Sequence, residues 1–326
     1  GPNHNGKIYL AKKLIKEAKK CGADYVKFQT FITEDIIVRE AKKAKYQIDV
    51  KKKYENQFSM LKKLEFSYED FRKIHKYCKN VGIKFLSTAF DIKSLKFVNS
   101  LKPDYIKIPS GEITNLQLIE EIVKLKKKII LSTGMSNLEE IKQTLKIILK
   151  KKFKKKDIII LQCNTEYPTP IKDVNLNVLK TFKEKFKLQV GYSDHTMGID
   201  VPIAAVAMGA KIIEKHFTLN RKMEGPDHKA SLEPIEFRDM VNSIRRIEKA
   251  MGTRIKKITS SEKKNLKVAR KSIVASKNIN KGEKFTKYNL SIKRPGSGLS
   301  PMKWYEVLGK VAKKKYLKGI QFYGKI

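Results

Sequence analysis

Short apolar runs alternate with amphipathic stretches at intervals of roughly 25–30 residues through most of the chain. Seven runs read as strands, at 24–30, 84–90, 105–110, 128–133, 157–163, 188–194 and 211–217. Most are flanked by charge, the pattern of parallel strands covered on both faces. Helical patterns lie between them. Ile8, Leu10, Ala11, Leu14, Ile15 and Ala18 follow a period near 3.6. Leu138, Ile141, Leu145, Ile148 and Leu149 do the same, with Asn137 placed as a cap. The chain opens on Gly1–Gly6, which reads as the loop after a strand that is not present. Seven strands and that loop fit an eightfold TIM (β/α)8 barrel missing its first strand better than an open sheet.

The stretch 31–64 is longer than an ordinary βα connection and reads as an active-site flap. The alternation stops near Met251 and Gly252. Further on, β-like pieces at 271–276, 279–284 and 290–298 are separated by Gly and Pro turns. The expected organisation is a barrel domain over 1–252, a linker over 253–266 and a small, mostly β domain over 267–326.

Charge invites a nucleic-acid reading, since the net charge is +39. Two features argue against it. The excess is almost all lysine, with nine arginines, whereas phosphate and base recognition favours arginine. The lysines are also spread over every segment, and the run Lys150–Lys156 reads as a solvated connection. No nucleic-acid partner is expected, although a basic surface attracts anionic substrates. No run approaches the roughly 18 apolar residues of a membrane span, and no secretory leader opens the chain. Cys21, Cys78 and Cys163 are odd in number and scattered, which argues for a reducing cytoplasm rather than disulfides.

In a parallel barrel the chemistry collects at the carboxyl ends of the strands. Those ends carry Lys27 and Gln29; Ser87 and Thr88; Lys107, Ser110 and Glu112; Ser132 and Thr133; Asn164, Thr165 and Tyr167; Ser193, Asp194 and His195; Glu214 and His216. His195 and His216 close apolar runs on either side of one Ala- and Val-rich helix. A strand–helix–strand unit would bring them to neighbouring strand ends, where two imidazoles either share a divalent metal or are separate hydrogen-bonded structural groups. Lys27 and Lys107 lie inside apolar strands. A buried ammonium needs a counter-charge, either a substrate anion or Glu112 or Glu214. Hydroxyls and amides around Ser110–Gly111 and Thr133–Gly134 would complete a phosphate cradle. Asp227, in Gly-Pro-Asp-His at 225–228, reads as a turn, a sugar contact or an orienter of a metal ligand. His4 falls at the barrel mouth, and His75 on a lysine-rich surface helix.

These segments together resemble the bacterial sialic acid (nonulosonic acid) synthase family. The matching pieces are 3–6, 22–30, 87–90, 107–112, 131–135, 164–170, 191–196, 214–217 and 225–228, in order along the barrel. The tail from Arg270 to Gly298 resembles the antifreeze-like (SAF, β-clip) domain of these enzymes. The resemblance implies a transferase that condenses phosphoenolpyruvate with N-acetylmannosamine to give N-acetylneuraminate. The alternative acceptor is 2,4-diacetamido-2,4,6-trideoxymannose, giving legionaminate. It implies a divalent metal, usually Mn2+ with Mg2+ or Co2+ as substitutes, on His195 and His216. Phosphoenolpyruvate would be held by Lys27, Thr88, Lys107, Ser110, Ser132, Thr165 and Ser193, and the sugar by Tyr167, Asp227 and Arg294. It also implies a domain-swapped homodimer in which Arg294 reaches the partner's site. Two departures stand out. Family members carry a glutamate on the first strand, which leaves open whether the chain as it stands turns over. Thr165 also occupies a place where some members have asparagine. A non-catalytic glycan- or nucleic-acid-binding relative is the reading from another class.

Overall fold

The structure, a computed structural model, describes residues 1–44, 47, 56–150 and 153–324. The chain divides into two compact units, Gly1–Gly252 and Thr253–Ile326.

The first unit is a curled, all-parallel sheet with strands in sequence order: β1 (Tyr25–Thr30), β2 (Lys84–Ala89), β3 (Tyr105–Ile108), β4 (Lys128–Ser132), β5 (Ile158–Cys163), β6 (Gln189–Asp194) and β7 (Ile213–Lys215). Helices fill the crossovers, as parallel pairing requires, and the architecture is TIM-like. Alternation along each strand sorts the side chains into two cores. Phe28, Phe85, Ile106, Ile108, Ile129, Leu131, Ile158, Ile160, Val190 and Tyr192 face the helices. Leu86, Ile130, Ile159 and Leu161 form the inner core, with Tyr25, Tyr105 and Ile212 against it. Each such side chain contributes about 1.5–3 kcal/mol of burial. The inner core is the floor on which the polar strand ends stand.

Local signals act as the sequence reading expects. Asn137 accepts the amides of Glu139 and Glu140 and starts the helix Leu138–Lys150. Ser67 and Asp70 form a capping box on Tyr68–Val81, and Gly82 ends that helix in the left-handed region at φ 73°.

Among the described residues no ladder joins β1 to β7. The opening loop bridges that seam instead. The Gly1 amine donates to the Lys27 carbonyl, and Asn3 Nδ2 donates to the Phe217 carbonyl and to Ser231 Oγ. A cavity of about 820 Å³ follows the seam, lined by Lys27, Glu214 and His216 and also by apolar Ile15, Val241 and Ile244.

The flap expected at 31–64 contributes two helices, Thr33–Ile36 and Gln57–Leu64, which meet through Phe31, Ile36, Met60 and Leu64. Its residues 45, 46 and 48–55 lie outside the described residues, as do 151 and 152 of the lysine run.

In the second unit β8 (Ser272–Ala275) pairs antiparallel with β9 (Leu290–Lys293). Its core is Ile273, Ala275, Ile279, Phe285, Leu290, Val307, Ala312 and Phe322. The segment expected to be a linker, 253–266, is in part helical. Thr259 and Glu262 form a capping box on the helix Ser260–Ala269. None of the described helices is long and apolar enough to cross a membrane.

Candidate active site

Parallel strands bring their carboxyl ends to one side, so the polar residues converge there. Thr88 is level with Lys107, while Cys163, Ser193 and Glu214 are level across β5, β6 and β7. Glu214 is the hub. Its Oε2 lies 2.8 Å from Lys107 Nζ and its Oε1 3.4 Å from Lys27 Nζ. Ser193 Oγ donates to Oε1 at 3.4 Å, and Lys27 Nζ donates to Thr88 Oγ1 at 3.1 Å. Of the two carboxylates open to the lysines from sequence, Glu214 takes both, and Glu112 accepts from Asn115. Burial by itself would raise the Glu214 carboxyl, but the Lys107 and Lys27 charges outweigh it and hold it below the ordinary range. Burial pulls the Lys107 ammonium down, against the attraction of Glu214.

The imidazoles sit beside this cluster. His195 and His216 follow register partners Asp194 and Lys215, and their ring centroids are 5.2 Å apart. His195 Nδ1 is 2.5 Å from the Asn164 carbonyl. A carbonyl only accepts, so Nδ1 carries the hydrogen and Nε2 keeps its lone pair. Burial lowers both histidines, His216 well below the ordinary value, with His195 a further cause. Both rings are therefore neutral at pH 7. Asp227 Oδ2 lies 3.6 Å from His216 Nδ1, beyond hydrogen-bond range. Burial raises Asp227 to about 6 against the pull of the Gly1 amine and Lys27. The Tyr167 ring covers both imidazoles, 4.1 Å from His195 and 5.7 Å from His216 by centroid. Among the described residues no three His, Cys, Asp or Glu side chains gather as a metal cage. The nitrogen donors that the site brings together are thus two neutral imidazoles.

Ser110, Gly134 and Thr165 form a second group. Ser110 Oγ accepts the Gly134 amide at 3.0 Å, and a Cβ on Gly134 would lie 2.8 Å from both Ser110 Oγ and Thr165 Cγ2. Only glycine lets the backbone come so close. Cys163 Sγ donates to the Asn164 carbonyl at 3.5 Å and lies 3.9 Å from His195 Nδ1, and burial raises its thiol. Ser132 ends β4, buried.

Not every residue singled out from sequence joins the cluster. Arg294 belongs to the second unit, exposed, with Nε donating to the Ala269 carbonyl. His4 is buried and stacked 4.1 Å from Phe66, and burial lowers it to about 3, so it acts as a structural ring rather than a group at the mouth. His75 is half-buried against Phe85, not a free surface residue. The sequence reading noted Glu214 only as a possible salt-bridge partner. Its position two residues before His216 on the same strand face was the available signal. The fully buried ion pair of Asp194 and Lys215 went unremarked.

The chain as a whole is similar to known proteins. Residues 14–256 match the model of the NeuB family, and residues 270–319 that of the SAF domain. The chain is 51% identical to the N,N'-diacetyllegionaminic acid synthase of Campylobacter jejuni over 97% of this chain and 95% of that one. It is 40% identical to the enzyme of the same name from Legionella pneumophila, over 95% and 87%. It also superposes with a TM-score of 0.72 and 32% identity on the N-acetylneuraminic acid synthetase of Leptospira borgpetersenii, covering 81% of this chain and 87% of that one. With parallel strand ends, paired lysines and imidazoles and two matched domains, this chain belongs to the NeuB family and carries a SAF domain.

Proposed function

We propose that this protein is a nonulosonic acid synthase that condenses phosphoenolpyruvate with 2,4-diacetamido-2,4,6-trideoxymannose to give N,N'-diacetyllegionaminate and phosphate. The observation that carries this reading is the 51% identity to the Campylobacter jejuni synthase over nearly the whole of both chains. The sequence reading put N-acetylmannosamine first as acceptor, and these relatives favour its alternative. N-acetylneuraminate formation stands second, supported by the likeness to the Leptospira borgpetersenii synthetase.

Lys27, Lys107 and Thr88 bind the carboxylate and phosphate of the donor, with Ser110, Ser132, Thr165 and Ser193 adding hydrogen bonds. Tyr167 and Asp227 hold the acceptor sugar. His195 and His216 hold a divalent cation, Mn2+ before Mg2+ or Co2+. Bound there, it supplies Lewis-acid polarisation of the acceptor's carbonyl. C3 of phosphoenolpyruvate bonds to the aldehyde carbon, water adds at C2, and the C2–O bond to phosphate breaks. The water oxygen becomes the C2 carbonyl and gives up both its protons, one to the aldehyde oxygen and one to the departing phosphate. Aligning two small reactants supplies much of the acceleration. The same proposal includes a homodimer in which the SAF domain of one subunit brings Arg294 to the acceptor bound by its partner. Three unpaired buried thiols fit a reducing compartment, the cytoplasm.

The test is mass spectrometry of products from phosphoenolpyruvate and each candidate sugar. Legionaminate from the diacetamido sugar at a kcat/KM at least about tenfold above that for N-acetylmannosamine is expected, a difference near 1.4 kcal/mol. The reverse order would transfer the assignment to N-acetylneuraminate. Chelation should stop either reaction, and manganese should not rescue His195→Ala.

A further inference from the structure

One step behind the two imidazoles lies a closed polar ring. Asp194 and Lys215 are register partners on β6 and β7, each directly preceding a histidine of the site. Lys215 Nζ lies 2.5 Å from Asp194 Oδ2, and both side chains are fully buried. The same ammonium donates to the Thr196 carbonyl at 2.5 Å, and Asp194 Oδ1 accepts the Thr196 amide at 2.9 Å. The residues on both sides of His195 are thereby tied to the residue before His216. Strand alternation turns Asp194 and Lys215 away from the inner face that carries Ser193, His195, Glu214 and His216. Neither can touch a reactant.

A buried ion pair is a poor way to add stability, because desolvation of two charges offsets most of their attraction. A well-packed apolar pair would hold the strands equally well. What an apolar pair lacks is direction: it cannot fix the Thr196 backbone and the neighbouring strand in one geometry at once. The two imidazoles already lie on adjacent strand ends at 5.2 Å between centroids, where a small slip changes their separation and tilt.

We infer that Asp194 and Lys215 are positioning residues, whose ion pair with the Thr196 backbone sets the spacing of His195 and His216 and so the affinity of that pair for a divalent cation. This rests on the cation reading of the histidines given above. The experiment is a Mn2+ titration of the full chain without substrates, followed by the electron paramagnetic resonance of free Mn2+. The variants are His195→Ala, His216→Ala and the near-isosteric neutral pair Asp194→Asn/Lys215→Met, which leaves no lone buried charge. Ile74→Ala, a core cavity on the helix Tyr68–Val81 and fully buried, controls for lost stability.

The expected result has three parts. Both histidine variants lose binding. The neutral pair unfolds cooperatively but binds Mn2+ about tenfold or more weakly. Ile74→Ala keeps the parent affinity. If the histidine variants lose binding and the neutral pair weakens it less than that, the positioning role is overturned and the cation reading survives. If the histidine variants bind like the parent chain, the cation reading falls and takes this one with it. Equal weakening by Ile74→Ala overturns the positioning role too, since general destabilisation would then account for the loss.

Discussion

Glu214 decides the electrostatics of the site at the scale of single residues. It is the shared counter-charge of two ammonium groups, and Lys107 is almost wholly buried. Glu214→Gln should destabilise the fold by roughly 3 kcal/mol, because an unpaired ammonium stays inside. Inorganic phosphate should then raise the melting temperature of the variant more than that of the parent, as an anion replaces the lost carboxylate. Equal shifts in both would sink this account. Buried histidines make a second prediction. Burial lowers His228 to about 4 and His4 to about 3, from an unfolded value near 6.5. Below pH 6.5 the unfolded chain takes up protons that the folded chain refuses, so stability is present above that pH and is lost on acidification. The slope is about 1.4 kcal/mol per pH unit for each such proton. Urea midpoints at pH 7 and pH 5 check this, and a flat profile would refute it. At this scale the strand-end lysines and histidines were legible from their positions in and at the ends of apolar runs. The choice between Glu112 and Glu214 as partner was not, because it depends on which side chains the sheet's curl brings face to face.

At the scale of elements, Gly191 on β6 leaves room for the Leu161 side chain of β5 and the backbone just before β7. A Cβ there would overlap Leu161 Cδ2 and lie 2.6 Å from the Ile212 carbonyl oxygen. Gly191→Ala should therefore cost about 3 kcal/mol through overpacking, read as a lower urea midpoint. An unchanged midpoint would mean that the strands shift freely. Strand positions and helix caps were readable in advance, since period and capping chemistry are local. The helix Ser260–Ala269 was not, for its amphipathic signal is weak and no residue in it is buried. The pairing of Asp194 with Lys215 also escaped the sequence reading. Charges one residue before each histidine look like ordinary polar strand ends until the register sets them side by side.

The whole molecule has separate cores in its two units, which predicts separable unfolding. The single tryptophan, Trp304, packs on the core of the second unit. Phe285→Ala, at a side chain 1% exposed and edge-on to Phe322, should cost that unit about 3–5 kcal/mol. Tryptophan fluorescence should then report an earlier transition, while the far-ultraviolet signal of the parallel sheet keeps its midpoint. Coincident shifts of both signals would show one cooperative body. The proposed homodimer makes a concentration prediction: specific activity should fall on dilution through its dissociation constant, and Arg294→Ala should raise KM for the acceptor. The sequence by itself determined the strand–helix order, the parallel sheet and the polar character of its carboxyl edge, because periodicity and capping act over a few residues. Only the tertiary structure decided which charges meet. The Glu214 hub, the Asp194–Lys215 ring and the opening loop across the β1–β7 seam join residues far apart in the chain, and no local pattern encodes a distance that the whole fold must close.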